Sequence, residues 1–336
     1  MLASNWGALV VTNPKEVKIE RRVDPLPNDE EILVKPTAVG LCGTDLEIID
    51  GTIDDAYVKY PISIGHEWSA TVVYDPSGTF SPETPIVVEG IIPCWSCQRC
   101  RAGETNLCHN YNEIGFTRDG GAGAYVLIPF RQAHPIANGL SIEAAVLIEP
   151  GSVVYRGLAL AKPDPAARVL VVGDGTIALL TAHLMSLWSP AEIVMLGIRT
   201  EQAELAHLAG TTKFETNPEA TGNGYDLVVE ASGSVQAIPH ALRAARRGGK
   251  VLFLGLPPHG TAVPIAVDDV VNNDLTLIGS FSYTSDIWAS VVKLFNTGMF
   301  RPEFLITHRF TFDKWESALE ILRVGQGPRG KVLLLP

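Results

Sequence analysis

The stretch from Arg168 to Thr200, RVLVVGDGTIALLTAHLMSLWSPAEIVMLGIRT, restricts the possible folds more than any other part of the chain. Val169 to Val172 form a short apolar run that stops at Gly173, after which Ile177, Leu180, His183, Leu184 and Leu187 recur at helical spacing. A second apolar run, Ile193 to Leu196, follows. Apolar runs of this length bounded by glycine read as strands buried on both faces, so the pattern is half of a mononucleotide-binding βαβ unit. Gly173, Gly175 and Ala178 fill the positions G-x-G-x-x-G/A. The first permits the tight turn, the second lets backbone approach a pyrophosphate, and the third keeps helix and sheet close. With Thr176 and Ile177 opening the helix, a phosphate placed there meets the helix's positive end. The glycines alone are equally compatible with an ordinary turn; the strand before them and the helix after them carry the dinucleotide-binding reading.

The alternation continues downstream. Strands at 193–196, 225–230, 251–256 and 275–279 are separated by helices near 201–209 and 234–246, which makes a doubly wound parallel α/β sheet. A helix over 152–161, closed by Pro163 and Pro165, opens this domain, and Gly255-Leu256-Pro257 is expected at a strand's carboxyl end near the nicotinamide. The first half of the chain differs. Trp6 to Val11, Val17 to Ile19, Glu31 to Thr37 and Ala124 to Ile128 read as short strands, with a turn and short helix over 39–50 and a surface loop over 76–86. A separate, mostly β domain is therefore expected, and 336 residues suffice for two cores. Helices over 286–297 and 313–324 close the chain with apolar faces.

Four of the five cysteines lie together as Cys94, Cys97, Cys100 and Cys108, a C-x2-C-x2-C-x7-C pattern. Four thiolates surround zinc tetrahedrally and leave no open position, which is the chemistry of a structural site. The lobe they sit in, 90–110, has few apolar side chains to order it, so metal binding contributes directly to its folding. An iron–sulfur cluster also takes four cysteines, but this spacing lacks the ferredoxin run and its terminal proline. Upstream, Cys42-Gly43-Thr44-Asp45 and Gly65-His66-Glu67 offer a thiol, an imidazole and a carboxylate. Mixed ligands of that kind are found where zinc keeps a position for substrate, although a lone cysteine or histidine is equally a packing residue.

These motifs together, with Gly115-Phe116, Gly120-Gly121, Tyr125, Glu149-Pro150 and the terminal Gly330-Lys331, resemble the zinc-containing medium-chain alcohol and polyol dehydrogenases across nearly the whole chain. The resemblance is closer to the polyol, sugar and threonine dehydrogenase branches. It implies a GroES-like catalytic domain over 1–151 and 285–336, interrupted by the dinucleotide-binding domain over 152–284. It implies two zinc ions. Cys42, His66 and either Glu67 or a water hold the catalytic one, with Glu149 near or on it, and the four-cysteine lobe holds the structural one. Thr44 is implied as the hydroxyl that takes the alcohol proton, with Glu47 standing where many relatives carry a histidine of the relay and Glu67 beside the reacting centre. Gly173, Gly175, Thr176, Ile177, Arg199, Gly255, Leu256 and Lys331 are implied at the cofactor. Glu113, Phe116, Glu89 and Trp288 are candidates around the substrate, and each is also explainable as loop or core packing. The reaction implied is reversible hydride transfer between a secondary alcohol of a polyol, sugar or cyclitol and a nicotinamide cofactor. An amino-alcohol substrate with NAD, and a catalytically silent nucleotide-binding protein, are the alternatives.

NAD-specific relatives carry an aspartate at the end of the second nucleotide-domain strand, where this chain reads Gly197-Ile198-Arg199. Without that carboxylate nothing repels a 2′-phosphate, and Arg199 supplies a charge-assisted contact, so NADP is favoured over NAD. The alternative is a solvent-facing Arg199 and acceptance of either cofactor. Arg199→Ala is expected to weaken NADP selectively, and adding Gly197→Asp to it is expected to reverse the preference. A net charge of −11 with no basic cluster argues against a nucleic-acid partner, and no apolar run or leader suggests a membrane span or secretion, so a cytoplasmic protein is expected. The family implies a homodimer or homotetramer acting on a small-molecule alcohol.

Overall fold

The computed structural model describes residues 7–21, 25–325 and 327–336. The chain divides into two compact units, one of Met1–Glu149, Thr284–Gly325 and Lys331–Pro336, the other of Pro150–Tyr283 and Gln326–Gly330. Position 6, expected to begin the first strand, lies outside the described residues; the strand there is Ala8–Asn13.

In the first unit a seven-stranded sheet is built around Glu31–Leu41, which pairs antiparallel with Glu67–Tyr74 on one side and with Lys331–Leu335 on the other. The last strand of the chain thus completes a sheet begun by its first fifty residues. The return segment also contributes Ile306–Thr311, parallel to Lys331–Leu335. Alternation along Glu31–Leu41 turns Ile32, Val34 and Val39 into a core shared with Trp68, Val72, Ile86 and Val332. The short helix Gly43–Asp50 follows directly on the end of Glu31–Leu41.

The second unit is a six-stranded parallel sheet in the order Lys213–Glu215, Glu192–Leu196, Arg168–Val172, Tyr225–Glu230, Ala245–Phe253, Thr276–Gly279. Read in chain order this is the doubly wound arrangement whose reversal falls beside Arg168–Val172, the strand that ends in the glycine turn. Leu170, Val172, Val194, Leu196 and Val228 fill its core. Lys213–Glu215 goes unmarked in the sequence because three residues of mixed polarity carry no period. Ala245–Phe253 ends short of the 256 expected for that strand, which frees Gly255 and Leu256 from the ladder.

One helical stretch among the described residues, Ala144–Ala161, is long and apolar enough to cross a membrane, longer than any apolar run noted above. It is 72% buried within the protein, as a core helix is.

Candidate active site

Cys42 caps the helix Gly43–Asp50, which sets its sulfur at the helix's positive end. Thr44 Oγ1 lies 3.8 Å from that sulfur. Pairing of Glu31–Leu41 with Glu67–Tyr74 puts Gly40 opposite Glu67, and so carries His66-Glu67 to the turn that holds Cys42. The sulfur of Cys42, a ring nitrogen of His66 and a carboxylate oxygen of Glu67 lie within 4.8 Å of one another. Donors on one zinc at about 2.0–2.3 Å stand roughly 3.3–3.8 Å apart, so small side-chain adjustments bring all three onto an ion. A thiolate, an imidazole and a carboxylate fit zinc with an open position.

Asp45, not singled out in the sequence, organises this group. Its Oδ2 accepts the Cys42 N–H at 2.8 Å and its Oδ1 accepts the Gly65 N–H at 3.3 Å. The same Oδ1 is 3.4 Å from His66 Nδ1, a charge contact too poorly aligned to count as a hydrogen bond. A carboxylate behind the distal ring nitrogen leaves Nε2 for a metal. Burial alone would depress the His66 pKa, but Asp45 and the Cys42 sulfur outweigh it and hold it well above the usual value. The signal for Asp45 was its place three residues past a helix cap.

Lys331, expected at the cofactor, is fully buried with its ammonium on Glu67 and 3.4 Å from the Leu41 carbonyl. Burial would lower its pKa; Glu67, Cys42 and Glu149 reverse that and raise it. Gly40 leaves the space for this pair, since a Cβ there would stand 2.6 Å from Glu67 Oε2. Glu149 is buried, and burial pushes its carboxyl up to about 8, with His66 pulling it down and Glu67 and Glu113 adding to the rise. It shares the neighbourhood of His66 but is not one of the three residues whose ligand atoms cluster within 4.8 Å. Glu47 is exposed, one turn beyond Thr44 on the same helix face, and partial burial raises its pKa.

Of the four substrate candidates the structure brings two to this group. The Phe116 ring lies 5.0 Å from the His66 ring, tilted by 52°. Glu113 is buried and accepts a 2.5 Å hydrogen bond from the Tyr111 hydroxyl. Burial raises the Glu113 pKa, against the opposite pull of Tyr111 and His66. Glu89 and Trp288 share a different cluster instead: Glu89 Oε1 accepts from Ser285 Oγ at 2.6 Å, Glu89 Oε2 is 3.0 Å from His134 Nε2, and Trp288 packs on the His134 ring at 5.8 Å.

The sulfurs of Cys94, Cys97, Cys100 and Cys108 also lie within 4.8 Å of one another, and none is in a disulfide. Backbone N–H groups point at them, Cys94 to Cys108 Sγ at 3.3 Å and Asn110 to the same sulfur at 3.3 Å. The Ser96 hydroxyl and the N–H groups of Ser96 and Cys97 draw the Cys94 pKa down to about 5, whereas burial pushes Cys100 up to about 12. Four convergent sulfurs with N–H support fit a closed tetrahedral zinc.

In the second unit Gly173 takes φ 124°, a conformation that favours glycine, and Gly175 caps the helix Thr176–Met185. Thr176 Oγ1 donates to the Gly330 carbonyl at 2.8 Å, and Ile177 follows it in the first turn. Gly255 N–H bonds the Glu230 carbonyl at 3.0 Å, while Leu256 is exposed. Arg199 does not face solvent. Its guanidinium is on Asp174, the residue between the first two fingerprint glycines, through Nη2 at 2.8 Å and Nε at 3.3 Å from Oδ1. An aspartate at position 197 meets crowding in this geometry. A Cβ on Gly197 would stand 2.8 Å from Asp174 Oδ2 and 2.7 Å from the Phe214 ring, so a side chain there distorts the loop before it meets a ribose.

Comparison with known proteins agrees with both halves of this picture. Residues 28–138 match the family model of the alcohol dehydrogenase GroES-like domain, and residues 173–297 match that of zinc-binding dehydrogenases. The chain is 27% identical to a sorbitol dehydrogenase of Bacillus subtilis over 94% of its own length and 93% of the relative's. It is 29% identical to an L-threonine 3-dehydrogenase of Bacillus licheniformis over 99% of each. A zinc-binding dehydrogenase from Sinorhizobium meliloti, solved bound to NADP, superposes with a TM-score of 0.89 at 28% identity, covering 98% of both chains.

Proposed function

The chain belongs to the zinc-binding medium-chain dehydrogenases, NAD(P)-dependent oxidoreductases of alcohols and sugars, and from that premise we propose that it oxidises a secondary alcohol of a polyol, sugar or cyclitol with NADP. The observation that carries the proposal is the convergence of Cys42, His66 and Glu67 beside the Thr44 hydroxyl, with a second carboxylate, Glu113, that feels the charge of His66 and takes a hydrogen bond from the Tyr111 hydroxyl. When bound, zinc supplies a Lewis acid that makes an alcohol more acidic and the nicotinamide takes the hydride. Thr44 Oγ1 takes the alcohol proton and hands it toward Glu47, one turn on and in contact with water. Asp45 fixes the His66 ring, and Lys331 pairs with Glu67, giving it a charged partner as an alternative to the metal. Glu149 is the further oxygen donor of this set. Glu113 and Tyr111 accept and donate to substrate hydroxyls beyond the one that reacts, and Phe116 provides the apolar wall.

Buried carboxylates also suit an ammonium, so an amino-alcohol with NAD is the second reading, and the likeness to threonine dehydrogenases favours keeping it. Both readings include assembly as a homodimer or homotetramer, which light scattering measures. Turnover of NADP and NAD with a panel of polyols, sugars, cyclitols and amino-alcohols tests the proposal. The expected result is the highest kcat/KM with a polyhydroxylated secondary alcohol and NADP; a preference for threonine-like substrates with NAD selects the second reading.

A further inference from the structure

The adenosine end of the nucleotide site holds more than Arg199. Asp174 has no acceptor capacity left for a ribose. Its Oδ2 receives the N–H groups of Ile198 at 2.9 Å and Arg199 at 3.0 Å, and its Oδ1 receives two donors of the Arg199 guanidinium. With two bonds on each oxygen, the carboxylate serves as a mount for the arginine. The Arg199 guanidinium also donates through Nη2 to the Asp174 carbonyl at 3.1 Å, while Nη1 is buried without a hydrogen-bond partner. A buried donor of this kind is costly until an acceptor reaches it.

The Asp174 carbonyl is also the meeting point for a second chain segment. The fully buried Gln202 donates from Nε2 to that carbonyl at 2.6 Å and to the Arg329 carbonyl at 2.9 Å, and its Oε1 accepts the Arg329 N–H at 2.7 Å. One amide side chain therefore clamps the backbone of Arg329 against the loop on which Arg199 is mounted. The two guanidiniums are near enough for the charge of Arg199 to depress the Arg329 pKa, in addition to the larger effect of burial. The charge of Asp174 acts on Arg329 in the opposite direction, and its carboxylate is fully bonded.

We infer that Arg329, held by Gln202, is a second specificity-determining residue that, together with an Arg199 positioned by Asp174, takes a phosphomonoester dianion on the adenosine ribose. This rests on the NADP reading above and adds to it two residues outside the glycine fingerprint and a role for the aspartate inside it. With Asp174 offsetting one of them, the two arginines leave a net positive charge for a phosphomonoester, whereas a single arginine paired with Asp174 leaves none.

Calorimetric titration of the intact protein with 2′,5′-ADP and with 5′-ADP separates these claims without any turnover. The parent protein is expected to bind 2′,5′-ADP at least about tenfold more tightly. Arg329→Gln is expected to lower 2′,5′-ADP affinity by about five- to twentyfold and to leave 5′-ADP within about twofold, since Gln202 grips only its backbone, and Arg329→Lys is expected to restore part of the loss. Asp174→Asn is expected to weaken 2′,5′-ADP although it removes a negative charge, because the arginine loses its mount. Equal binding of the two ligands by the parent overturns the NADP reading and this inference with it. A parent preference that Arg199→Ala abolishes but Arg329→Gln leaves intact overturns only the role of Arg329, and tighter 2′,5′-ADP binding in Asp174→Asn overturns only the positioning role of Asp174.

Discussion

Thr44 is the residue on which the proposed proton path turns. Its hydroxyl is within 3.8 Å of the Cys42 sulfur, and a valine keeps its shape while removing the group that accepts and passes a proton. Thr44→Val is expected to keep metal content and cofactor binding and to lower kcat by about 10²- to 10⁴-fold, the usual range for a general acid–base group. A kcat close to that of the parent, with hydride transfer rate-limiting, rules the role out. The two cysteine sets make a second prediction at this scale. Elemental analysis is expected to find about two zinc per chain, with Cys42→Ser losing one ion and activity but little stability. Cys97→Ser is expected to lose the other ion together with several kcal/mol of stability, because its lobe has little apolar surface to hold it. One equivalent in fully loaded protein contradicts the assignment of two sites. A third concerns Gly197: with 2.8 Å to Asp174 Oδ2 there is no room for a side chain, so Gly197→Asp is expected to destabilise by about 1–3 kcal/mol in thermal or denaturant unfolding and to fail to create an NAD enzyme. Wild-type stability with reversed cofactor preference contradicts it.

Among the elements, long patterned ones were legible and short ones were not. The fingerprint strand Arg168–Val172 and the helices Ser285–Asn296 and Trp315–Val324 announce themselves by period. Pro85–Val88 hides at the edge of a Pro/Ser/Thr-rich loop, and Ile306–Thr311 alternates polar residues that exist to pair with Lys331–Leu335, a partner no local pattern reveals. The grouping of the four cysteines could be read from spacing alone. The placement of Lys331 on Glu67 could not, since it depends on the antiparallel register between the last strand and Glu31–Leu41. Asp174 was hidden for a related reason: its partner Arg199 lies one whole βα unit away. Asp226 supports the sheet in the same non-local way, accepting the Arg168 N–H at 2.8 Å and Arg246 Nε at 2.6 Å, so that it joins the starts of Arg168–Val172 and Ala245–Phe253. Burial would raise its pKa, but those donors outweigh it and hold it below the usual carboxylate range. A depressed folded-state pKa contributes stability above the unfolded value near about 3.9, and that contribution disappears as pH falls through the folded value. Asp226 is about one-third exposed, so the effect is modest: Asp226→Asn is expected to cost about 1 kcal/mol or less at neutral pH, with the difference closing in acid. A difference that instead grows as pH falls contradicts the sign.

For the molecule as a whole, the division of labour is between a β unit that gathers Cys42, His66 and Glu67 and a parallel-sheet unit that carries the glycine turn and its arginines. The GroES-like and nucleotide-binding parts were both recognisable from sequence because each has a motif fixed by chemistry rather than by packing: thiols at metal spacing in one, glycines at a phosphate turn in the other. In the proposed reading, the choice among hydroxylated substrates that sequence left open rests on side chains such as Tyr111 and Glu113, whose meeting is a product of the fold. The most direct test of the central claim follows nicotinamide absorbance in a single experiment. Protein stripped of metal by a chelator, the same protein reloaded with zinc, and reloaded Cys42→Ser are each mixed with NADP and the best alcohol of the panel. Reduction of the nicotinamide by the reloaded protein alone is the expected result; reduction at equal rates by the stripped protein, or by Cys42→Ser, contradicts a reaction that depends on zinc held at Cys42, His66 and Glu67.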